Sequence, residues 1–144
     1  MTAIVTESDL RTLYDSFNTG DIDAFLEAFS PDARYYQYES SAVGRGLDQI
    51  RHILVGWTTS FIGAAIHDVF ITHDEARAPE ADGAVDCWHI DYRATGIFDK
   101  LIPGLDIPPT GLDVNVPFSD TVWIDGDGHV LRLENSMHIP ALQA

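Results

Sequence analysis

Apolar residues return every three or four positions through the first third of the chain and every second position beyond Gly63. Leu10, Leu13, Tyr14 and Phe17 make the apolar stripe of one helix, because side chains three and four apart share a helical face. Thr6 and Asp9 ahead of it resemble a capping box, with Asp a shorter partner than Glu. Gly20 ends this helix, and Asp21 caps a second one carrying Ile22, Phe25, Leu26 and Phe29, which Pro31 closes. Ala33 to Glu39 reads as a short, tyrosine-rich strand. Leu47, Ile50, Leu54, Trp57 and Phe61 predict a third helix that opens after Gly46 and ends near Gly63. Strands are predicted over Ile66–His73, Val85–Phe98, Leu112–Ile124 and His129–Ile139, with Asp125-Gly126-Asp127-Gly128 as the hairpin turn between the last two. Three helices and then a strand meander predict an α+β domain spanning 1–144, its helices on one face of a curved, mainly antiparallel sheet.

One strand breaks its own pattern. Val116, Phe118, Val122 and Ile124 give an apolar face interrupted only by Asp120, and an unpaired ionised carboxylate on such a face costs several kcal/mol. Strand parity puts the neighbouring pocket-facing sets at Trp88, Ile90, Tyr92 and Ala94, at Leu131, Leu133, Asn135 and Met137, and at Ala33, Tyr35 and Gln37. Helical period turns Tyr14 and Trp57 toward the same space. The expected pocket is aromatic and aliphatic with three polar points, Asp120, Gln37 and Asn135. Desolvation by Phe118 and Val122 raises a carboxyl pKa and makes Asp120 a proton donor near neutrality; the other reading is a structural Asp bonded to a helix N-terminus or an Arg.

Composition narrows the partners. With 23 acidic against 8 Lys and Arg residues the formal net charge is −15, which repels phosphate backbones and anionic membranes; neither nucleic acid nor membrane is expected as a partner. Cys87 is the sole cysteine, so no intrachain disulfide forms, and a cytoplasmic setting is expected. No run of 18 apolar residues and no basic, apolar leader is present, which predicts a soluble, unexported chain. The six histidines have neither HxH nor HExxH spacing, and no Gly-rich loop joins a strand to a helix; no metal and no cofactor are expected.

The block Ile107-Pro108-Pro109-Thr110-Gly111, an acid-bearing strand and a Gly-containing hairpin resembles the SnoaL-like polyketide cyclases of the nuclear transport factor 2-like superfamily. Phe17-Asn18-Thr19-Gly20-Asp21, Phe29-Ser30-Pro31-Asp32-Ala33 and Gly44-Arg45-Gly46 through Ile50-Arg51 resemble its other motifs in order and spacing. The resemblance implies a cone-shaped fold, a catalytic acid at Asp120, a hydrogen-bond donor at Tyr14, and a homodimer. It also implies secondary-metabolite, antibiotic-type biosynthesis. The chain departs from the pattern where aldol cyclases carry Thr-Gly-Thr-His, for here Thr95-Gly96-Ile97-Phe98 replaces the His by Phe98. Gln37 stands where ketosteroid isomerases hold an Asp base. The Arg-flanked Asp pair of limonene epoxide hydrolases is not evident in the pocket parity.

The expected function is therefore a cofactor-independent cyclase of a bulky apolar substrate. Asp120, Asn135, Gln37 and Tyr14 form the catalytic set, and Trp57, Trp88, Tyr92, Tyr35, Phe98, Phe118, Leu133 and Met137 bind substrate. Closure proceeds either by pocket templating, for example pericyclic, or with Asp120 as general acid. The alternatives are a non-catalytic module for an apolar ligand, or an isomerase, dehydratase or epoxide hydrolase of the same superfamily. His89, Asp91 and Arg93 alternate on one strand like a catalytic triple, but parity sends them to the convex face unless a bulge turns them inward. The apolar loop Ile97–Leu105 reads as a lid or a dimer contact. Trp123 among polar neighbours on the convex face points to a homodimer through that face.

Overall fold

The computed structural model describes residues 3–143. Its elements in chain order are α1 (Glu7–Phe17), α2 (Ile22–Leu26), β1 (Phe29–Gln37), β2 (Ala42–Arg45), α3 (Leu47–Thr59), β3 (Phe61–His73), β4 (Ala84–Phe98), β5 (Asp113–Asp125) and β6 (Val130–Met137), with 3₁₀ turns at Glu75–Glu80 and Ile139–Leu142. The Thr6–Asp9 capping box forms in full, each side chain accepting from the other residue's backbone N–H. The six strands make one sheet in the order β2-β1-β6-β5-β4-β3. The meander β3 to β6 is antiparallel, whereas β1 joins β6 in parallel. That one parallel pairing lays the first strand beside the last.

The pattern-based expectations need four corrections. The helices are not a block ahead of the sheet: α2 has only five residues, and β1 and β2 stand between it and α3. Pro31 does not close a helix but lies inside β1, where the β1–β6 register shifts between Phe29 and Arg34; a residue without an N–H is tolerated where the ladder is already interrupted. β2 was not anticipated, since four residues are too few to display a period. Leu131 does not continue the pocket face, because the β5–β6 register slips between Trp123 and Ile124 and pairs the buried Val130 with Ile124 instead. β3 is bent at two register shifts, with Gly63 and Asp68 at positive φ.

Two apolar clusters fill the space under the helices. One gathers Leu10, Tyr14, Phe25, Phe29, Ile50, Ile90 and Leu133 among others, the second Phe98, Ile102, Val116, Phe118, Met137 and Leu142, and Tyr92 packs against both. The loop after β4 sends Ile102 into the second cluster, 1% exposed. Gly104 of this loop, at φ +86, backs onto the Ser40 carbonyl so closely that a Cβ would lie 2.8 Å from that oxygen. The loop is thus seated against the β1–β2 turn.

Trp123 is 2% exposed, and no second subunit is needed to cover it. The 3₁₀ turn Glu75–Glu80 in the β3–β4 connection folds across the outer face of the sheet. Ala78, Ala81 and Cys87 pack with the indole, whose Nε1 donates to Arg77 O at 3.0 Å. The Arg77 and Arg132 guanidinium groups lie 5.5 and 5.4 Å from the ring centroid. Trp123 is thus covered within its own chain and is not itself the reason to expect a second copy on this face. Trp123→Ala should lower unfolding stability by roughly 3–5 kcal/mol, read by urea denaturation, with Trp123→Phe retaining more than half of what is lost.

Candidate active site

A cavity enclosing about 750 Å³ of empty space, its open mouth included, lies between the helices and the inner face of the sheet. Its walls come from both apolar clusters. Tyr14 and Phe17 reach it from α1, Phe25 from α2, Leu54, Trp57 and Thr58 from α3, and Phe61, Ala64, Ala65 and Ile66 from the start of β3. The sheet contributes Tyr35, Tyr92, Ala94, Thr95, Val116, Phe118, Asp120, Leu133 and Asn135. Tyr92 and Phe118 stack with centroids 5.4 Å apart and planes 5° apart. Trp57 meets Phe118 edge-on at 5.6 Å.

Asp120 is 3% exposed, and both its oxygens are occupied. Tyr14 donates its hydroxyl to Oδ2 at 2.6 Å. Asn135 donates Nδ2 to Oδ1 at 2.6 Å, and Tyr92 donates its hydroxyl to Oδ1 at 3.3 Å. The pairing register makes this possible: β4, β5 and β6 carry Ile90, Asp120 and Asn135 side by side, with Tyr92 two residues along β4 on the same face.

Burial dominates the electrostatics. It pushes the Asp120 carboxyl up to about 6, against the opposing pull of the hydrogen bonds from Tyr14, Asn135 and Tyr92. The phenols of Tyr14, Tyr35 and Tyr92 lie well above 10, first through burial and then through the nearby Asp120 charge. They remain neutral donors. The result is a carboxyl that exchanges a proton near neutrality, inside a cavity whose walls are mostly apolar.

The other residues expected in the site are placed as follows. Trp57, Tyr35, Tyr92, Phe118 and Leu133 line the cavity, as do Tyr14, Asp120 and Asn135. Gln37 does not: it is 1% exposed and sits behind Asn135, giving Nε2 to Asn135 Oδ1 at 3.1 Å. Trp88 faces inward but lies away from the cavity, stacked on His73 at 4.1 Å with Nε1 donating to Asp86. Phe98 and Met137 are in the second cluster rather than on the wall, Phe98 stacked on Phe61 at 5.4 Å. Strand parity gives the face but not the position along it, which is why these three read as lining residues. Phe17, Phe25, Leu54 and Phe61 were legible only as core stripe, Phe61 as the end of the third helix where the structure starts β3, and the wall contributed by Ala64 and Ala65 had no sequence signal.

His89, Asp91 and Arg93 lie outside the cavity. His89 Nε2 pairs with Asp91 Oδ1 at 3.1 Å, Ser119 donates to the same oxygen at 2.6 Å, and Arg93 reaches Asn115. The Asp stands between the Ser and the His, so the His is not placed to take a proton from the Ser. In the β5–β6 turn, Asp125, Asp127 and His129 bring metal-capable atoms within 4.8 Å of one another. Asp125 Oδ1 there accepts the backbone N–H groups of Asp127 and His129, each at 3.0 Å, which explains the gathering. Among the described residues no helix is long and apolar enough to cross a membrane.

The raised Asp120 pKa has a stability consequence with a definite sign. The folded chain keeps this proton up to about pH 6, whereas an ordinary aspartate releases it near 3.8. Between those values the folded state binds more protons, so stability falls as pH rises through the window and levels off above it. The full difference is about 3 kcal/mol. Subtracting the denaturation free energies of Asp120→Asn from those of the native protein at each pH between 4 and 7 isolates this one group; a flat difference would contradict the raised value.

The SnoaL-like domain family model matches residues 10–133, and no curated protein sequence matches. Among solved structures, a protein of Jannaschia sp. CCS1 assigned as a SnoaL-like polyketide cyclase is 21% identical with a TM-score of 0.71, covering 96% of this chain and 90% of its own. A Pseudomonas putida KT2440 protein assigned as a polyketide cyclase is 18% identical with a TM-score of 0.73, covering 93% and 92%. SalBIII, the epoxide hydrolase/cyclase-like enzyme of pyran ring formation in the polyether salinomycin, is 15% identical with a TM-score of 0.67, covering 92% and 89%. Identities this low speak for the fold alone, but the family match spans most of the chain: this protein belongs to the SnoaL-like family, with its nuclear transport factor 2-like fold.

Proposed function

We propose that the protein is a cofactor-independent cyclase of a bulky, apolar, polyketide-type intermediate, with Asp120 as its general acid. One observation carries the reading. A single carboxyl, held near neutrality by burial, faces a cavity lined mainly by aromatic and aliphatic side chains. In the proposed step the Asp120 proton passes to a substrate carbonyl oxygen, the carbonyl carbon accepts an electron pair from a nucleophilic atom of the same chain, and the ring bond forms. The proton shed by that nucleophile returns to Asp120. While ionised, the carboxylate is held by the three donors already aimed at it, Tyr14, Tyr92 and Asn135, so no reorganisation is required as charge develops.

The walls do the rest. The stacked Tyr92–Phe118 pair and the edge of Trp57 give flat surfaces that fold an extended substrate and bring its reactive ends together. Positioning of this kind lowers a barrier without acid or base, and it becomes the whole mechanism if Asp120 proves dispensable. The low-identity likeness to cyclases and to an epoxide hydrolase/cyclase-like enzyme supports cyclisation as the reaction class without naming the substrate.

The test incubates purified protein with candidate linear polyketides and polyenes and follows products by mass spectrometry. Asp120→Asn should reduce kcat by roughly 10²–10⁴-fold if the carboxyl donates the proton; a loss below tenfold would assign the rate to templating. The acid role also fixes the direction of the pH profile: the active form is protonated, so kcat falls as pH rises through about 6. Tyr14→Phe removes a donor to the ionised form and should move that limb upward. Ligand retained but returned unchanged across the series would make the protein a binding module instead.

A further inference from the structure

We propose that Gln37 is a positioning residue: clamped by Ser40 and Glu39, its side-chain amide fixes the Asn135 amide so that Nδ2, and not Oδ1, faces Asp120. This rests on the reading of Asp120 as the proton-transferring group. It adds the device that orients one of that carboxyl's hydrogen-bond donors.

The two ends of an amide side chain are nearly alike in shape, so its direction is decided by partners that can only donate or only accept. Such partners stand at the outer end of this chain of bonds. The Ser40 backbone N–H can only donate, and it donates to Gln37 Oε1 at 2.7 Å, joined by the Ser40 hydroxyl at 2.7 Å. The Glu39 carboxylate accepts Gln37 Nε2 on Oε1 at 2.8 Å. That carboxylate is itself held in place, because Met137 N donates to Oε1 at 2.8 Å and Ser136 Oγ to Oε2 at 2.9 Å. Gln37 therefore has one free N–H direction, toward Asn135 Oδ1 at 3.1 Å. With Oδ1 so engaged, Asn135 presents Nδ2 to Asp120 Oδ1 at 2.6 Å and to the Tyr92 hydroxyl at 3.2 Å.

The reversed Asn135 amide would set its oxygen against the Asp120 oxygen, two acceptors in contact. Gln37, Asn135 and Asp120 are 1%, 2% and 3% exposed, so bulk water is in no position to relieve that contact. Gln37 is off the cavity wall and touches no substrate; it acts through Asn135. The titratable groups around Asp120 are Tyr14 from α1, Tyr35 from β1 and Tyr92 from β4, all held neutral by burial, with His89 of β4 on the opposite face of the sheet. None of them fixes the amide direction. The clamp does.

The test reads the Asp120 ionisation directly, by carboxyl carbon NMR of aspartate-labelled protein with Asp120→Asn to assign the signal, and needs no turnover. Gln37→Met keeps the volume but frees the Asn135 amide, and the midpoint should rise by roughly one pH unit as a donor to the ionised form is lost. Glu39→Gln retains an oxygen for Gln37 Nε2 and Met137 N–H while turning its own NH₂ to the Ser136 hydroxyl, and its midpoint should stay within about 0.3 unit of native. A native midpoint in Gln37→Met, or an equal rise in both variants, overturns the clamp. Should Gln37→Met not fold, the native protein decides: the Asn135 Nδ2 hydrogens should show through-space contacts to the Tyr92 ring, and contacts to the Gln37 amide instead would overturn the proposal. An unmoved midpoint sinks the clamp and leaves the cyclase reading intact; failure of every substrate to cyclise does the reverse.

Discussion

The site depends on one constraint, a carboxyl group taken out of water on the apolar face of a sheet. Asp120 would be intolerable there without partners, and the fold gives it three donors from three elements, α1, β4 and β6. Burial still outweighs those donors and holds the group near 6. The balance between desolvation and hydrogen bonding sets the proton affinity, and it is struck by tertiary contacts alone.

The sheet order makes that balance possible. β1 joins β6 in parallel, which pairs Gln37 with Asn135, and β6 joins β5, which pairs Asn135 with Asp120. A row of polar side chains thus crosses three neighbouring strands and ends at the β1–β2 turn, where Glu39 and Ser40 hold its outer end. The seat of the Gly104 loop on the Ser40 carbonyl braces the same turn. Around this row the remaining inner face is apolar, so hydrogen bonds within it meet little competition from water.

The outer face of the sheet follows a different logic. Trp123 would expose a large apolar surface there, and the β3–β4 connection folds back to cover it, with Arg77 and Arg132 against the ring. The rest of that face is mixed: His89, Asp91 and Ser119 pair among themselves, while Phe70 and Val43 stand exposed on it. A group that looks catalytic in one dimension is a surface hydrogen-bond network in three.

Periodicity alone determined α1, most of α3 and the long strands β4, β5 and β6, and which face of β4 and β5 is apolar. These are local properties, set by the repeat of 3.6 or 2 residues, and they are strongest where the run is long, as in β4 and β5. Asp120 was legible for the same reason, as the one break in a period-2 apolar face. The short β2, the strand character of Phe29–Asp32 and the slip that replaces Leu131 by Val130 were not legible, because pairing partners far along the chain decide them. Depth along a strand was hidden too: Trp88, Phe98 and Met137 share the inner face with Tyr92 and Phe118, yet only the curvature of the sheet and the seating of α3 decide which of them reach the cavity. Tertiary structure also decided the direction of the Asn135 amide and the cover over Trp123, since both depend on residues brought together from distant parts of the chain.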